Sequence, residues 1–221
     1  HKDKMQILVI GMHRSGTSMA SRLLNMMGVY FAPEGMATSP NRENPKGFWE
    51  RRDVRILDDM LLHAAGSDWN KAGAFSLDRI PADVVDRFNV EADELLFRMD
   101  AHRPWFIKDP RICLLAPLWL DLMEFPVCIL VYRTPLEVAN SLRIRNGFSI
   151  PCGIALWEKH VVSALNATSG FPRLVIRHSD MLRNPVAVVR KLHSDLLDLG
   201  IRGTREPSEK EITSFVDPGL Y

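Results

Sequence analysis

The sequence predicts an α/β fold in three layers, α/β/α, with helices on both faces of a central, mostly parallel sheet. Three observations lead there. Four short apolar runs rich in β-branched residues, at positions 6–10, 105–108, 127–132 and 174–177, read as strands buried on both faces. Helical patterns separate these runs, and strand alternating with helix is the pattern of a parallel sheet. Helix-start signals, Thr134-Pro135 and Asn184-Pro185, follow the third and fourth runs within a few residues.

Taken in order, the first strand leads into GMHRSGTS at positions 11–18. A helix is expected from near Thr17 to Met27, with Met19, Leu23, Leu24 and Met27 on its apolar face and Gly28 as its stop. A polar, proline-bearing loop covers 29–47. Positions 48–65 set Trp49, Ile56, Leu57, Met60, Leu61 and Ala64 at helical spacing, 66–80 read as loop, and 81–99 as another helix. After the third strand, Thr134-Pro135-Leu136-Glu137 combines an N-cap threonine, a proline at the first helical position and a capping-box glutamate. Further helices are expected over 154–167 and 185–199, with a short terminal one opened by Ser208 and Glu211.

At 221 residues, 46% hydrophobic and 25% charged, the chain has the composition of a globular protein, and one domain over 1–221 is expected. Lys+Arg 28 against Asp+Glu 27 leaves a net charge of +1, so no overall field points to nucleic acid as a partner, and any anion site is local. Cys113, Cys128 and Cys152 are odd in number, widely spaced and set in apolar context, which argues against a disulfide framework or a zinc site. A reducing, cytoplasmic location is the expectation. No stretch has the apolar length that spans a bilayer, and the first residues carry no signal-type apolar run.

The most informative segment is GMHRSGTS. A strand that breaks into a glycine-containing turn and then a helix aims several backbone N–H groups at one point, where the helix dipole also favours an anion. Gly11 and Gly16 have the glycine spacing of the nucleotide P-loop, but Thr17 stands where a nucleoside-triphosphate enzyme has lysine. The cation lies inside the loop instead, at Arg14. The loop is therefore P-loop-like, and His13, Arg14, Ser15, Gly16, Thr17 and Ser18 are the candidate phosphate-binding residues. Ligands in sheets of this kind bind outside the carboxyl ends of the strands. At another such end stands Arg133, with Ser141 two helical turns into the following helix; together they form a second anion grip, although Arg133 taken alone also reads as an ion-pair partner. Two grips suit a nucleotide that carries phosphates at two positions.

These residues carry a resemblance. GMHRSGTS is similar to the 5′-phosphosulfate loop of sulfotransferases, and Arg133 with Ser141 resembles their 3′-phosphate motif. NPKGFWE (44–50), IKDPR (107–111) and LVIRHSDMLRNP (174–185) resemble segments of bacterial-type sulfotransferases, so the likeness extends over nearly the whole chain. Cytosolic small-molecule enzymes carry lysine where Arg14 stands, whereas protein-tyrosine and many bacterial enzymes carry arginine. The resemblance implies 3′-phosphoadenosine 5′-phosphosulfate as donor, 3′-phosphoadenosine 5′-phosphate as product, and no metal. It also implies that Lys108 contacts the transferring sulfuryl group, that His178 lies near the nucleotide, and that 29–104 shape the acceptor pocket, with Phe48, Trp49, Trp69 and Phe75 as candidate lining. Trp119 and Trp157 read as core.

Sulfuryl transfer needs positioning and charge stabilisation more than covalent help. The acceptor hydroxyl must lose a proton, and Glu50 is the first choice of base, expected in the first turn of a helix whose dipole favours its ionised form. Glu34 is the rival, because its distance from Arg14 resembles that of the base in the protein-tyrosine enzymes; His13 is a third candidate, read mainly as shaping the loop. Lys108 also reads as an ion-pair partner of a carboxylate, and Arg111 as a loop brace. The expected acceptor is a hydroxyl of a carbohydrate or glycan, or of a small molecule, with a peptide tyrosine as the third reading. Other readings are a P-loop kinase or nucleoside-triphosphate hydrolase, with Asp109 the nearest candidate for a magnesium-binding aspartate, and a non-catalytic nucleotide-binding module.

Overall fold

The structure is a computed structural model that describes residues 6–38, 47 and 49–216. Four strands, β1 (Gln6–Ile10), β2 (Trp105–Lys108), β3 (Pro126–Tyr132) and β4 (Arg173–Arg177), form one parallel sheet in the order β2-β1-β3-β4. The helices are α1 (Thr17–Met26), α2 (Arg52–Ala64), α3 (Ala82–Asp100), α4 (Ile112–Leu120), α5 (Pro135–Asn146), α6 (Ile150–Ala167), α7 (His178–Arg183), α8 (Pro185–Asp198) and α9 (Glu209–Phe215).

Side chains alternate across a strand, and that alternation divides the core in two. Leu8, Ile10, Ile107, Cys128 and Leu130 face α2, α3, α4 and the end of α6; Ile7, Val9, Phe106, Ile129, Val131 and Ile176 face α1, α7, α8 and α9. The predicted three-layer α/β/α architecture is therefore the observed one. β1 is buried at every residue, as a strand covered on both faces must be. Register aligns Val9 with Lys108, Ile10 with Leu130 and Tyr132 with Arg177, so all four strands deliver their carboxyl ends to one edge.

Local structure departs from the sequence reading at several points. β4 is an edge strand with Arg173, Val175 and Arg177 exposed, so it is half-buried. α2 begins at Arg52, because residue 49 adopts a left-handed conformation and Ala37 forms an antiparallel bridge with Arg51. Thr134 starts α5 without a side-chain cap, and Glu137 turns to Arg133 instead of closing a capping box. α6 starts at Ile150, four residues before expectation, because Ser149 caps it by accepting from the Cys152 N–H. α4, nearly all apolar, and the six-residue α7 offered too little periodicity to be read. The terminal helix has its capping box, with Ser208 and Glu211 bonded reciprocally. Phe48 and most of the 44–50 motif lie outside the described residues.

Candidate active site

Residues 11–16 leave β1 and wrap into α1, and their shape depends on two glycines. A Cβ on Gly11 would stand 2.7 Å from the Val131 carbonyl oxygen and 2.8 Å from Thr17 Cγ2. Gly16 has φ +90° and would place a Cβ 2.9 Å from His178 Cδ2. Only glycine fits either position without displacing a strand or a ring. Gly16 takes the N-cap position of α1, which has no side-chain cap and no acidic residue in its first turn. The positive end of the helix dipole is thus not offset by a capping side chain, the condition in which a helix N-terminus favours an anion. Ser15 and Thr17 are buried at its base, whereas Arg14 and Ser18 are half-buried.

Arg14 is itself left-handed, φ 67°, which costs a non-glycine residue about 1–2 kcal/mol. Contacts with two described residues hold it. Arg133 Nη1 donates to the Arg14 carbonyl at 2.9 Å, and Arg14 Nε donates to Ser141 Oγ at 2.8 Å. The two grips inferred from sequence therefore meet in one constellation on the neighbouring ends of β1 and β3. Arg133 also pairs with Glu137 at 3.3 Å, so the ion-pair role and the place beside the loop coexist. His178, the first residue of α7, is buried against Gly16; burial, then the charges of Arg133 and Arg14, push its pKa down to about 4. It is neutral at physiological pH and makes no competing cation.

Lys108, the last residue of β2, is 2% exposed. Its Nζ donates to Ser18 Oγ of the loop at 3.0 Å and to Glu50 Oε1 at 3.0 Å. The ammonium thus joins the loop to a carboxylate that arrives from outside the sheet. Glu50 lies before the N-cap Arg51, not in the first helical turn as expected, so Lys108 takes the place assigned to the helix dipole. Burial raises the Glu50 pKa most and the Asp109 charge adds to it, while Lys108 and Arg111 pull the other way; the net direction is upward. A carboxylate shifted upward is a better proton acceptor than an ordinary one. The segment that delivers it is pinned: Trp49 has φ 55°, packs on Phe31 at 5.4 Å between ring centroids and lies under the Arg22 guanidinium at 5.3 Å. The Glu50 carbonyl accepts from the Thr38 N–H at 2.8 Å.

The other sequence candidates separate. Glu34 is exposed and makes no hydrogen bond or ion pair with a described residue, so only Glu50 of the two is brought to Lys108. His13 is buried and packs on Trp69, with ring centroids 4.2 Å apart and the planes tilted by 36°; burial, then Arg111, hold its pKa well below the usual 6.5, so it braces the loop as a neutral ring. Phe75 is part of the main core cluster and Trp49 packs on Phe31, so Trp69 is the one acceptor-lining candidate seen against the loop among the described residues. Trp119 is fully buried, as expected of core, and Trp157 is half-buried with its Nε1 donating to the Arg133 carbonyl at 3.0 Å. Arg111 braces as read, to Asp59 at 2.7 Å and Asp109 at 3.0 Å. Cys113 and Cys128 are free, buried thiols pushed up to about 12 by burial, hence inert. Sequence reasoning passed over Asp58, which is fully buried in α2, although an aspartate between Leu57 and Leu61 on an apolar face was a readable signal. No helix among the described residues is long and apolar enough to cross a membrane.

No protein-family model matches the chain, and no curated protein matches it. Solved structures do. Superposition on the sulfotransferase domain from the olefin synthase of Synechococcus PCC 7002 gives a TM-score of 0.52 at 18% identity, over 100% of this chain and 87% of that one. The sulfotransferase domain from the curacin biosynthetic pathway gives 0.53 at 17%, over 98% and 89%. Sulfotransferase STF1 of Mycobacterium tuberculosis H37Rv gives 0.52 at 15%, over 99% and 74%. With its parallel sheet, its P-loop-like turn after β1 and its end-to-end superposition, this chain has the α/β fold of sulfotransferase domains.

Proposed function

We propose that the chain is a sulfotransferase that moves the sulfuryl group of 3′-phosphoadenosine 5′-phosphosulfate to an acceptor hydroxyl, on a carbohydrate or a small molecule. The observation that carries the reading is Lys108 Nζ, bonded at once to Ser18 of the loop and to Glu50. An anion held by the loop and a hydroxyl held by Glu50 would meet at that ammonium. The site suits such a donor: glycines occupy the two positions a Cβ would fill, α1 has no acid in its first turn, and Arg14 and Arg133 supply the cations. The donor supplies an activated sulfur; transfer breaks its bond to the bridging phosphate oxygen and forms one to the acceptor oxygen.

In this reading the loop N–H groups of 13–18, with Arg14, hold the 5′-phosphate and the leaving oxygen, where stabilisation counts most as charge develops. Arg133 and Ser141 take the 3′-phosphate, and His178 lies beside the nucleotide. Lys108 neutralises the sulfuryl oxygens, and Glu50 takes the acceptor proton, its raised pKa suiting it to the task. Residues 29–104 shape the acceptor side of a single domain. Asp109, the nearest sequence candidate for a magnesium ligand in the kinase reading, is buried and paired with Arg111.

Calorimetry with 3′-phosphoadenosine 5′-phosphate and transfer of labelled sulfuryl groups to a panel of carbohydrates and small alcohols and phenols test the reading. Glu50→Gln is expected to keep product-nucleotide binding while turnover falls by roughly two orders of magnitude or more. If Glu34→Gln behaves in that way instead, the base is reassigned. Magnesium-dependent ATP turnover with no transfer from the phosphosulfate would refute the proposal.

A further inference from the structure

We propose that Asp58 and Asp109 share one proton at neutral pH, and that Asp58 is thereby a positioning residue for the turn that carries Lys108. Both carboxyl groups are 0% exposed. Asp58 comes from the middle of α2, and Asp109 directly follows Lys108 at the end of β2. Each has one oxygen supplied with donors. Asp58 Oδ1 accepts from Trp119 Nε1 of α4 at 2.8 Å, and Asp109 Oδ1 accepts from the Arg111 N–H at 3.1 Å and from Arg111 Nη1 at 3.0 Å. The remaining oxygens, Asp58 Oδ2 and Asp109 Oδ2, are buried and meet no donor if both groups are ionised. Arg111 bridges Asp59, the neighbour of Asp58, to Asp109, and this sets the two buried carboxyl groups side by side, close enough to interact directly. Two acceptors bond only through a hydrogen, and a single one between these oxygens satisfies both.

Charge leads to the same conclusion. The charged groups around Asp58 are the cations Lys108 and Arg111 and the anions Glu50, Asp109 and the half-buried Asp59. From α6, His160 adds no cation, since burial pushes its pKa down to about 4. Ionised Asp58 would add a fourth anion against two cations, in a place where water cannot screen it. Burial and the Asp109 charge accordingly push the Asp58 carboxyl well above its usual 3.8, against the smaller pull of Trp119 and Arg111. The result ties α2, the end of β2 and α4 together around Asp109, whose carbonyl also accepts from the Ile112 N–H at 2.9 Å. The residue so anchored is the immediate neighbour of Lys108.

The sign of the pH dependence follows. A carboxyl whose folded-state pKa is raised contributes stability that is complete below its ordinary value and is lost as pH rises through the folded value. In Asp58→Asn the amide Oδ1 still accepts from Trp119 while its Nδ2 donates permanently to Asp109, so stability at pH 7 is kept and the alkaline loss is delayed. Asp58→Ala leaves Asp109 Oδ2 without a donor and is expected to lower the melting temperature at every pH. The decisive measurement is infrared spectroscopy of the whole folded chain, unlabelled and with ¹³C-labelled aspartate. A carbonyl band of one protonated aspartic acid per chain is expected at neutral pH, shifted by the label and by D₂O, lost on alkaline titration together with stability, and absent from Asp58→Asn. A folded wild-type chain without that band, or a band that persists in folded Asp58→Asn, would overturn the proposal. Should Asp58→Asn fail to fold by circular dichroism, the labelled wild-type band and its titration decide alone. None of these readouts involves transfer activity, so the shared proton and the proposed reaction stand or fall separately.

Discussion

Lys108 and Glu50 form a buried ion pair at 3.0 Å, with side chains 1% and 9% exposed, and its energetics are open to a double-mutant cycle. At that distance two unit charges attract by about 5.5 kcal/mol for an effective dielectric of ~20. Desolvation of both groups offsets much of this, so the pair adds little net stability over an apolar one. Removing one member is another matter. Lys108→Met leaves Glu50 buried beside Asp109 without its cation and is expected to cost about 3–5 kcal/mol at pH 7. Glu50→Gln keeps an acceptor for the ammonium but not its counter-charge, at about 1.5–3 kcal/mol. The double variant has no uncompensated charge and should be less destabilised than the sum by about 2 kcal/mol or more. Urea unfolding with linear extrapolation measures all four corners. The Lys108→Met penalty should also shrink as pH falls toward 4.5, the ordinary value for a glutamate, because Glu50, already shifted upward, becomes neutral. Additive losses within about 0.5 kcal/mol, or a penalty independent of pH, would refute the reasoning.

Three further outcomes are expected. Arg14→Ala removes a charged hydrogen bond to Ser141 and the loop's own cation, and calorimetry should show the affinity for 3′-phosphoadenosine 5′-phosphate falling by roughly 10- to 100-fold, about 1.5–3 kcal/mol. Gly16→Ala forces a Cβ into φ +90° and within 2.9 Å of His178, so thermal unfolding should show a loss of at least about 1–2 kcal/mol; His178→Ala added to it should recover part of that loss but not the backbone strain. His160 and His178 should remain neutral in NMR titrations until pH approaches 4. Because a lowered histidine pKa gives stability that is present above 6.5 and lost as pH falls toward the folded value, His160→Gln should flatten the acid side of the stability curve by about 3 kcal/mol.

The sheet was legible because its strands are extreme cases: Ile7-Leu8-Val9-Ile10 is apolar on both faces and is buried on both. Arg173, Val175 and Arg177 alternate with Leu174 and Ile176, a half-buried signature, although the apolar run 174–176 by itself predicts a strand buried on both faces. The loop, Arg14, Arg133, Ser141 and Lys108 were legible because each follows or lies near a strand end, where the fold itself dictates convergence. What escaped was set by side-chain geometry at long range. No local pattern says that Trp49 turns left-handed and takes Glu50 out of the helix, or that Glu137 prefers Arg133 to a capping box. The assembly of Asp58, Asp109 and Trp119 joins residues 51 and 10 positions apart in three different elements, and becomes visible only once α2 is laid against α4.

Arg14 is fastened by residues 119 and 127 positions away, its carbonyl by Arg133 and its side chain by Ser141. A peptide or fragment comprising only β1, the loop and α1 would lack both fasteners and would relax out of the left-handed turn. The anion recognition proposed for this turn would accordingly be a property of the completed sheet, with the two equilibria linked. A nucleotide that binds only the assembled loop, at a hundred times its dissociation constant, shifts unfolding of the entire chain by about 2.7 kcal/mol. Protection from hydrogen exchange on binding should for that reason extend into β3 and α5, far from the loop in sequence, and not stop at the residues that touch the ligand.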